Sequence, residues 1–212
     1  MRVFRTAAAL LAVTLLLAGC STAAEGPETE PPTTGPTPTA TAEETASPTP
    51  APDPADPATW TISAEGIGPV HIGGDFDGTL ADLPTSWTSD GAACSWAAFW
   101  NAPDASFSMH FVRGSENQSD PISEVSASTM ADAVSGPVGP VTAEGLGVGA
   151  ARDEILAGYP DAEEGTGAVD GEWIRIPSDG EAQIFFQFLT GADLAWAVTV
   201  TTRDEPSYEV CG

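Results

Sequence analysis

The chain has no lysine, and all six of its basic residues are arginine. Thirty-one acidic residues oppose them, so the formal net charge is −25 at pH 7. Clustered positive charge is what holds phosphates, so nucleic acids and anionic lipid headgroups are poor partners for this chain. A Walker phosphate loop is also excluded, because that motif requires a lysine. The acidity favours either plain solubility or a cationic partner, including loosely held divalent ions.

Beyond the N-terminus the sequence has no apolar run of about 20 residues, the length that a membrane-spanning helix needs. At the N-terminus, Arg2 and Arg5 precede an apolar run over residues 7–17, and small residues follow it. This order is typical of an export signal. The alternative, a transmembrane helix, is rejected because the run is too short.

The export signal ends in Leu17-Ala18-Gly19-Cys20, which resembles the lipobox of bacterial lipoproteins. The resemblance implies that residues 1–19 are a lipoprotein signal peptide and that the sulfur of Cys20 carries a diacylglyceryl group. Two acyl chains give lasting attachment, since each buried methylene contributes about 0.8 kcal/mol. We therefore expect a protein anchored on the extracytoplasmic face of the cell membrane through its lipid.

Cysteine is scarce, with three in the chain and no CxxC pair, which argues against a thiol-redox or zinc site. Lipidation of Cys20 leaves Cys94 and Cys211. Exported proteins mature in an oxidising compartment, so we predict a disulfide between these two residues. Two free buried thiols are the alternative.

The segment from Ser21 to Ala58 has no aromatic residue and no valine, isoleucine, leucine or methionine. Such a segment has no apolar surface whose burial could offset the entropy of ordering. Its many prolines favour a semi-extended chain. Residues 20–58 are therefore predicted to be a disordered Pro/Thr/Glu-rich tether, and a glycosylated mucin-like stalk is a second interpretation.

One short motif occurs twice in the rest of the chain, at residues 62–68 and 141–147, with four of its seven positions identical. The similarity then continues at a constant offset of 76 residues through the pairs Gly73/Gly149, Asp77/Asp153, Leu80/Leu156, Ala81/Ala157 and Pro84/Pro160. Similarity at a fixed period indicates a duplicated structural unit. We predict repeat unit 1 over residues 59–138 and repeat unit 2 over residues 139–212.

Each unit is predicted to contain one short helix, from an Asp75 N-cap to Leu83 in the first and over Arg152–Tyr159 in the second, each stopped by a proline. Alternation of apolar and polar residues predicts the strands. They are residues 60–63, 70–72, 93–100, 106–112 and 122–127 in unit 1, and 172–176, 183–189 and 194–201 in unit 2. The predicted fold class is α+β, with two tandem copies of a short-helix plus antiparallel-meander unit packed as one domain.

This tandem pattern resembles the units of the beta-lactamase inhibitor protein fold, which the small lipoprotein of the outer-membrane barrel assembly machinery shares. It also resembles secreted lipoproteins of high-GC actinobacteria. The resemblance rests on Gly73/Gly149, Leu80/Leu156 and Leu83/Tyr159. It implies binding or scaffolding work rather than catalysis. In the inhibitor each unit carries its own disulfide, whereas here the two cysteines fall in different units, which argues against an inhibitory role.

Candidate catalytic groups are few. The two histidines, His71 and His110, are not accompanied by a GxSxG nucleophile elbow. Residues 75–78 contain part of a calcium loop, but its remaining acidic ligands are missing, and helix capping by Asp75 is the better interpretation. Residues 161–164 form an acidic run that is most simply a solvated turn. We expect no catalytic residues, no metal site and no cofactor.

Aromatic residues are the remaining candidates for function. Trp96 and Trp100 are predicted to share a strand face with Cys94, as core residues. Trp87, Trp173 and Phe186 form a possible interaction surface for protein or glycan, provided that they are exposed; burial in the core is the alternative. The sequence thus favours a non-enzymatic interaction module whose partner is an envelope protein or a cell-wall ligand. The alternative is a cell-envelope hydrolase or substrate receptor that uses His71 or His110.

Overall fold

The computed structural model describes residues 53–114, 120–130, 136–167 and 171–211. All of them belong to one compact unit, residues 48–212. The predicted signal peptide, the lipidation site Cys20 and nearly all of the predicted tether lie outside the described residues. No helix in the described ranges has the length and apolar character needed to cross a bilayer.

The described chain is mostly β sheet with two short helices, which agrees with a broadly α+β class. The helices are α1 (Phe76–Asp82) and α2 (Arg152–Gly158), and a 3-10 helix covers Pro57–Thr59. The strands are β1 (Ile62–Ser63), β2 (Gly66–Ile67), β3 (Val70–His71), β4 (Thr88–Asp90), β5 (Cys94–Asn101), β6 (Ser108–Arg113), β7 (Ile122–Ser128), β8 (Val138–Val141), β9 (Gly147–Val148), β10 (Glu163–Thr166), β11 (Glu172–Ile176), β12 (Gln183–Phe188) and β13 (Ala197–Thr201).

Eight of these strands form one antiparallel sheet in the order β10-β11-β12-β13-β7-β6-β5-β4. Strands β4 to β7 follow one another as a meander, and so do β10 to β13. The two meanders join through their last strands, β13 and β7, in a register that pairs Thr199 with Ser126. Helix α1 directly precedes the first meander and α2 the second. The centre of the sheet is thus built from the ends of two distant segments.

One face of the sheet is covered by the helices and the short β1–β3 sheet. Strand β12 shows this: Ile184, Phe186 and Phe188, spaced two residues apart, join the core cluster that includes Phe76 of α1 and Ile155 of α2. Burial of each large apolar side chain contributes about 1.5–3 kcal/mol. This face is therefore the hydrophobic core of the domain.

Two residues of the predicted interaction surface belong to this core. Trp87 is 4% exposed and Phe186 is fully buried. The ring of Trp87 packs between those of Trp60 and Trp100, with centroids 6.1 and 6.3 Å away. Large rings bury more apolar area than any other side chain, which is why the core holds them. An exposed cluster of Trp87, Trp173 and Phe186 does not exist.

At the start of each helix a side-chain carboxylate accepts a hydrogen bond from a backbone N–H that has no partner within the helix. The Asp75 carboxylate accepts from Gly78 N at 2.7 Å, so the predicted cap is present in α1. In α2 the carboxylate of Glu154 accepts from Ala151 N at 3.2 Å. Satisfying one such donor is worth about 1 kcal/mol. These caps fix where the two short helices start.

The pairing of β4 with β5, the first two strands of the first meander, has an irregular register. The β4–β5 register shifts between Thr88 and Asp90. Ala98 and Trp100 join the main core, whereas Cys94 and Trp96 pack in a second, smaller cluster. A register irregularity breaks the alternation of side chains between the two faces. The prediction that Cys94, Trp96 and Trp100 share one face was therefore wrong.

The acidic run at residues 161–164, predicted to be a solvated turn, contains the start of edge strand β10. Glu163 lies directly opposite Arg175 on β11 and forms an ion pair with it. Glu164 pairs with Arg152 of α2 at 2.9 Å. Opposite charges on neighbouring strands stabilise a pair, and charged side chains are tolerated at a sheet edge. Arginine partners from elsewhere in the chain thus let an acidic segment form a strand.

The hydroxyl of Tyr159, which follows α2, donates a hydrogen bond to the Glu144 carboxylate. Burial of the ring, and then this hydrogen bond, raise the pKa of Tyr159 to about 12. The same bond lowers the pKa of Glu144. A raised phenol pKa means that this contribution to stability is complete below pH 10 and is lost as the pH rises through 12.

We predict that Tyr159 ionises near pH 12 in the folded protein and that Glu144→Gln lowers this pKa. The chain has two tyrosines, so a Tyr208→Phe background leaves Tyr159 as the single reporter of phenolate absorbance. Circular dichroism in the same titration shows whether the fold persists. Ionisation at the ordinary phenol pKa in the folded protein, with or without Glu144, would contradict the assignment.

Candidate functional site

The sheet face that points away from the helices carries a different set of side chains, and we call it the outer face. Because side chains alternate along a strand, residues between the core positions point to this side. They are Trp173, Arg175, Gln183, Phe185, Gln187, Ala197, Thr199, Thr201, Glu124, Ser126, Ser128, Ser108, His110, Val112, Ala97 and Phe99. The outer face is thus largely polar at its centre and aromatic towards its sides.

Hydrogen bonds between strands order the centre of the outer face. The amide of Gln187 donates to Thr199 Oγ1 at 2.8 Å, and Thr199 Oγ1 in turn donates to Ser126 Oγ at 2.8 Å. The hydroxyls of Ser108 and Ser128 lie 3.2 Å apart. A connected network of this kind fixes the rotamers of its members. The centre of the outer face therefore presents a preorganised polar surface.

Residues 202–211 cross the outer face, and we call them the C-terminal strap. Its end is held by Cys94, which lies at disulfide-bonding distance from Cys211, with their Cα atoms 5.5 Å apart, as the sequence predicted. The indole N–H of Trp96 donates to Val210 O at 2.7 Å. The strap is therefore fixed to β5. In the sheet, β7 and β6 lie between β5 and β13, the strand from which the strap leaves.

A buried carboxylate fastens the middle of the strap. Glu124 is 1% exposed, and its Oε2 accepts from the backbone N–H and the hydroxyl of Ser207, at 3.1 and 3.2 Å. A buried carboxylate is costly unless donors surround it. These contacts hold Ser207 against the outer face.

His110 is the histidine nearest to a carboxylate, with its Nε2 3.9 Å from Glu124 Oε1. Its cross-strand neighbour Ser126 is 2% exposed, and the hydroxyl of Ser126 accepts from Thr199 instead. In the parts of the chain that the structure describes, no serine hydroxyl is hydrogen-bonded to His110. His71 is exposed and lies on β3. The described residues also hold no group of three or more His, Cys, Asp or Glu placed for a metal ion.

Beside the strap lies a cavity of about 150 Å³, which we call the aromatic pocket. It is bounded by the start of β11, the end of β12, the residue before β13 and the middle of the strap. Its lining residues are Gly167, Gly171, Glu172, Trp173, Gln187, Phe188, Leu189, Trp196, Glu205, Pro206, Ser207 and Tyr208. Two of the large apolar residues among them are strongly exposed, Tyr208 at 62% and Leu189 at 63%. Exposed apolar groups around a concavity are typical of binding sites.

Trp173 forms the fixed wall of the aromatic pocket. Its ring meets Phe185 edge-on, with centroids 5.5 Å apart, and lies directly over Gly165 of β10. A Cβ at Gly165 would stand 2.2 Å from that ring. The indole N–H of Trp173 is buried and has no hydrogen-bond partner among the described residues. Of the three residues in the predicted interaction surface, Trp173 alone lies at this site.

We predict that Gly165→Ala displaces the Trp173 ring and destabilises the domain by about 1–3 kcal/mol, the usual cost of overpacking. Gly180→Ala is the matched control, because its Cβ would meet nothing closer than Ser178 Oγ at 3.7 Å. Urea denaturation gives the free energies, and tryptophan fluorescence reports the ring. If both substitutions behave alike, the close contact between Gly165 and Trp173 is refuted.

The charged side chains among the described lining residues of the aromatic pocket are all acidic. Among the described lining residues two carry carboxylates: Glu172, which pairs with Arg152, and Glu205, which forms no ion pair with any described residue. No arginine is among the described lining residues. Arg175 approaches the ring of Trp173 to 5.8 Å but is paired with Glu163. Glu205 is therefore the one described lining carboxylate without an ion-pair partner, in a cavity whose lining is more apolar than polar.

Comparison with known proteins adds no family or function: no protein-family model, no curated protein and no solved structure matches this chain.

Proposed function

We propose that the protein is a lipid-anchored extracytoplasmic lipoprotein whose domain is a non-enzymatic binding module. The observation that carries the binding role is the aromatic pocket, where Trp173, Trp196 and the exposed Tyr208 surround a cavity on the outer face. A concavity lined mainly by apolar and aromatic side chains, with a few polar groups, is the usual form of a ligand site. The partner is an envelope protein or a cell-wall ligand.

The anchoring part of the proposal is supported by the sequence alone. The apolar run that ends in Leu17-Ala18-Gly19-Cys20 is typical of a lipoprotein signal, and residues 20–58 have the composition of a tether. A lipid on Cys20 would place the binding domain outside the membrane, at the end of this spacer.

The domain itself is proposed to consist of two sister units. Three features support this. Helices α1 and α2 start 76 residues apart, as do Gly73 and Gly149, and both glycines have positive φ angles, +80° and +89°. Gly73 N donates to Ile122 O and Gly149 N to Ala195 O, each at 2.7 Å. Glycine is the residue that adopts such a conformation without strain.

The resemblance to the beta-lactamase inhibitor protein fold belongs to the same proposal. The resemblance rests on the glycine and helix positions that the sequence repeats, and it implies binding or scaffolding work. The disulfide departs from that pattern, because Cys94 and Cys211 connect the two units rather than closing each one. This link ties the end of unit 2 to the first long strand of unit 1.

The alternative of a hydrolase has one observation in its favour, the approach of His110 to Glu124. A serine hydrolase also needs a nucleophile hydrogen-bonded to the histidine. Ser126 is the nearest candidate by register, but it is buried and accepts from Thr199. The binding module therefore remains the function that the geometry supports best.

The test is capture of envelope components by the full chain carrying Cys20→Ala, which removes the proposed lipid site. We expect a component that the Tyr208→Ala variant no longer retains. Glu209→Gln is the control, because it changes the next strap residue, which does not line the pocket. Retention that is equal in both variants, or turnover of ester or peptide substrates that His110→Ala abolishes, would overturn the proposal.

A further inference from the structure

Four aromatic side chains are among the described lining residues of the aromatic pocket, and three of them, Trp173, Trp196 and Tyr208, are not fully buried. Trp173, Trp196 and Tyr208 line the same cavity, yet no two of them stack against each other in the described structure. The face of an aromatic ring carries negative potential, strongest for tryptophan, and attracts cations within about 6 Å. Arg175 already approaches Trp173 in this way from outside the pocket. The rings thus favour a positively charged guest.

The charge of the aromatic pocket also favours a positively charged ligand. Glu205 is its one carboxylate without a partner among the described residues, and no arginine lines the described wall. The chain around it has a net charge of −25 and no lysine. Low-dielectric walls that carry one sign of charge raise the local concentration of ions of the opposite sign. Anionic ligands are therefore disfavoured.

The size and polarity of the aromatic pocket limit the kinds of cation that it can bind. A cavity near 150 Å³ holds a molecule about as large as benzene, and it is too small for a drug-sized ligand or a disaccharide. Calcium takes six to eight oxygen ligands, which one free carboxylate cannot supply. A primary ammonium is strongly hydrated and needs several acceptors. A methylated ammonium is weakly hydrated, and aromatic cages recognise it.

We propose that the aromatic pocket binds a methylated ammonium group, with Trp173, Trp196 and Tyr208 as the cage and Glu205 as the counter-charge. This inference rests on the proposed binding function and names the ligand chemistry of the same site. The head of choline is the reference ligand. Tyr208 and Pro206 come from the strap, so the disulfide between Cys94 and Cys211 keeps one wall of the cage in place.

The test is a titration of the full chain carrying Cys20→Ala with choline chloride, at constant ionic strength, followed by tryptophan fluorescence and calorimetry. The neutral isostere 3,3-dimethylbutan-1-ol has the same shape without the charge. We expect choline to bind about tenfold more tightly than the alcohol, since a partly desolvated cation–π site contributes on that scale. Equal affinities, or no binding of choline by the folded protein, would overturn the proposal.

Substitutions in the strap test whether choline binds in the aromatic pocket. Tyr208→Leu should weaken choline about tenfold, whereas Tyr208→Phe should keep the affinity, because the ring and not the hydroxyl makes the contact. Glu205→Gln should weaken choline a few-fold and reduce the dependence on salt, and Glu209→Gln should change neither. These residues are exposed, so the fold is retained. Affinity that persists in Tyr208→Leu would place the site elsewhere and refute the cage.

The two proposals fail separately. If choline does not bind but capture of an envelope component still requires Tyr208, the cation proposal is wrong and the binding module stands. If choline binds and Tyr208→Leu weakens it about tenfold, but capture of the envelope component is unchanged in Tyr208→Ala, the partner binds elsewhere and the ligand assignment stands.

Discussion

Replacing both Cys94 and Cys211 with serine should lower the free energy of unfolding by about 4–5 kcal/mol. The bridge closes a loop of 117 residues, and loops of that order lose about this much denatured-state entropy in the chain-entropy model. The loss is a large share of the roughly 5–15 kcal/mol that stabilises a typical domain. The strap is then held mainly by Glu124 and Trp96, through their bonds to Ser207 and Val210.

Urea denaturation of the oxidised chain and of the double serine variant measures this loss. Cys20→Ala in both proteins removes the third cysteine and serves as the reference background. Hydrogen exchange should also rise in the strap before it rises in β7 and β13. Equal unfolding midpoints and equal exchange in the strap would show that the bridge does not fasten it.

Phe186→Ala should destabilise the domain by about 3–5 kcal/mol, because it leaves a cavity in the centre of the core. Phe186 is fully buried and stands opposite Ile174 and Val198 on the neighbouring strands, all within one cluster. An exposed aromatic residue behaves differently. Tyr208→Ala should change the stability by no more than about 0.5 kcal/mol.

Denaturation curves of the two variants, recorded by circular dichroism, provide the comparison. The comparison also distinguishes the core from the outer face, because Phe186→Ala removes a ring from the core and Tyr208→Ala removes one from the strap on the outer face. A small effect of Phe186→Ala would contradict the assignment of this side of the sheet as the core.

The long strands could be predicted from the sequence because alternation leaves a clear signal over five or more residues. Strand β11 (Glu172–Ile176) has the predicted bounds, and β7 (Ile122–Ser128) differs by one residue. The short strands β4, β8, β9 and β10 contain two to four residues, too few to show a period. They form because tertiary neighbours accept their hydrogen bonds, which no local pattern reveals.

Two errors about faces have different physical causes. Trp96 was assigned to the face of Trp100 because strict alternation was assumed, and the irregular β4–β5 register breaks it. The sequence offers Phe186 as a surface candidate, but it lies in β12, where the residues in phase with it belong to the core. The second error was avoidable, since Ile184, Phe186 and Phe188 share one period-two face.

The aromatic pocket could be predicted only in part. Trp173 was a candidate, but Trp196 and Tyr208 were not, because they reach the site through the strap and the turn before β13. One signal was present: a disulfide that involves Cys211 forces the last residues of the chain to cross the domain. The direction of that crossing depends on which face of β5 Cys94 occupies, and the register irregularity decides this.

Hydrogen–deuterium exchange of the full chain, with and without its captured envelope ligand or saturating choline, tests the central claim most directly. The account predicts protection in β11, β12 and the C-terminal strap, around Trp173 and Tyr208, with α1 and α2 unchanged. Protection confined to the helices and the β1–β3 sheet would contradict it, because binding would then use the opposite side of the domain.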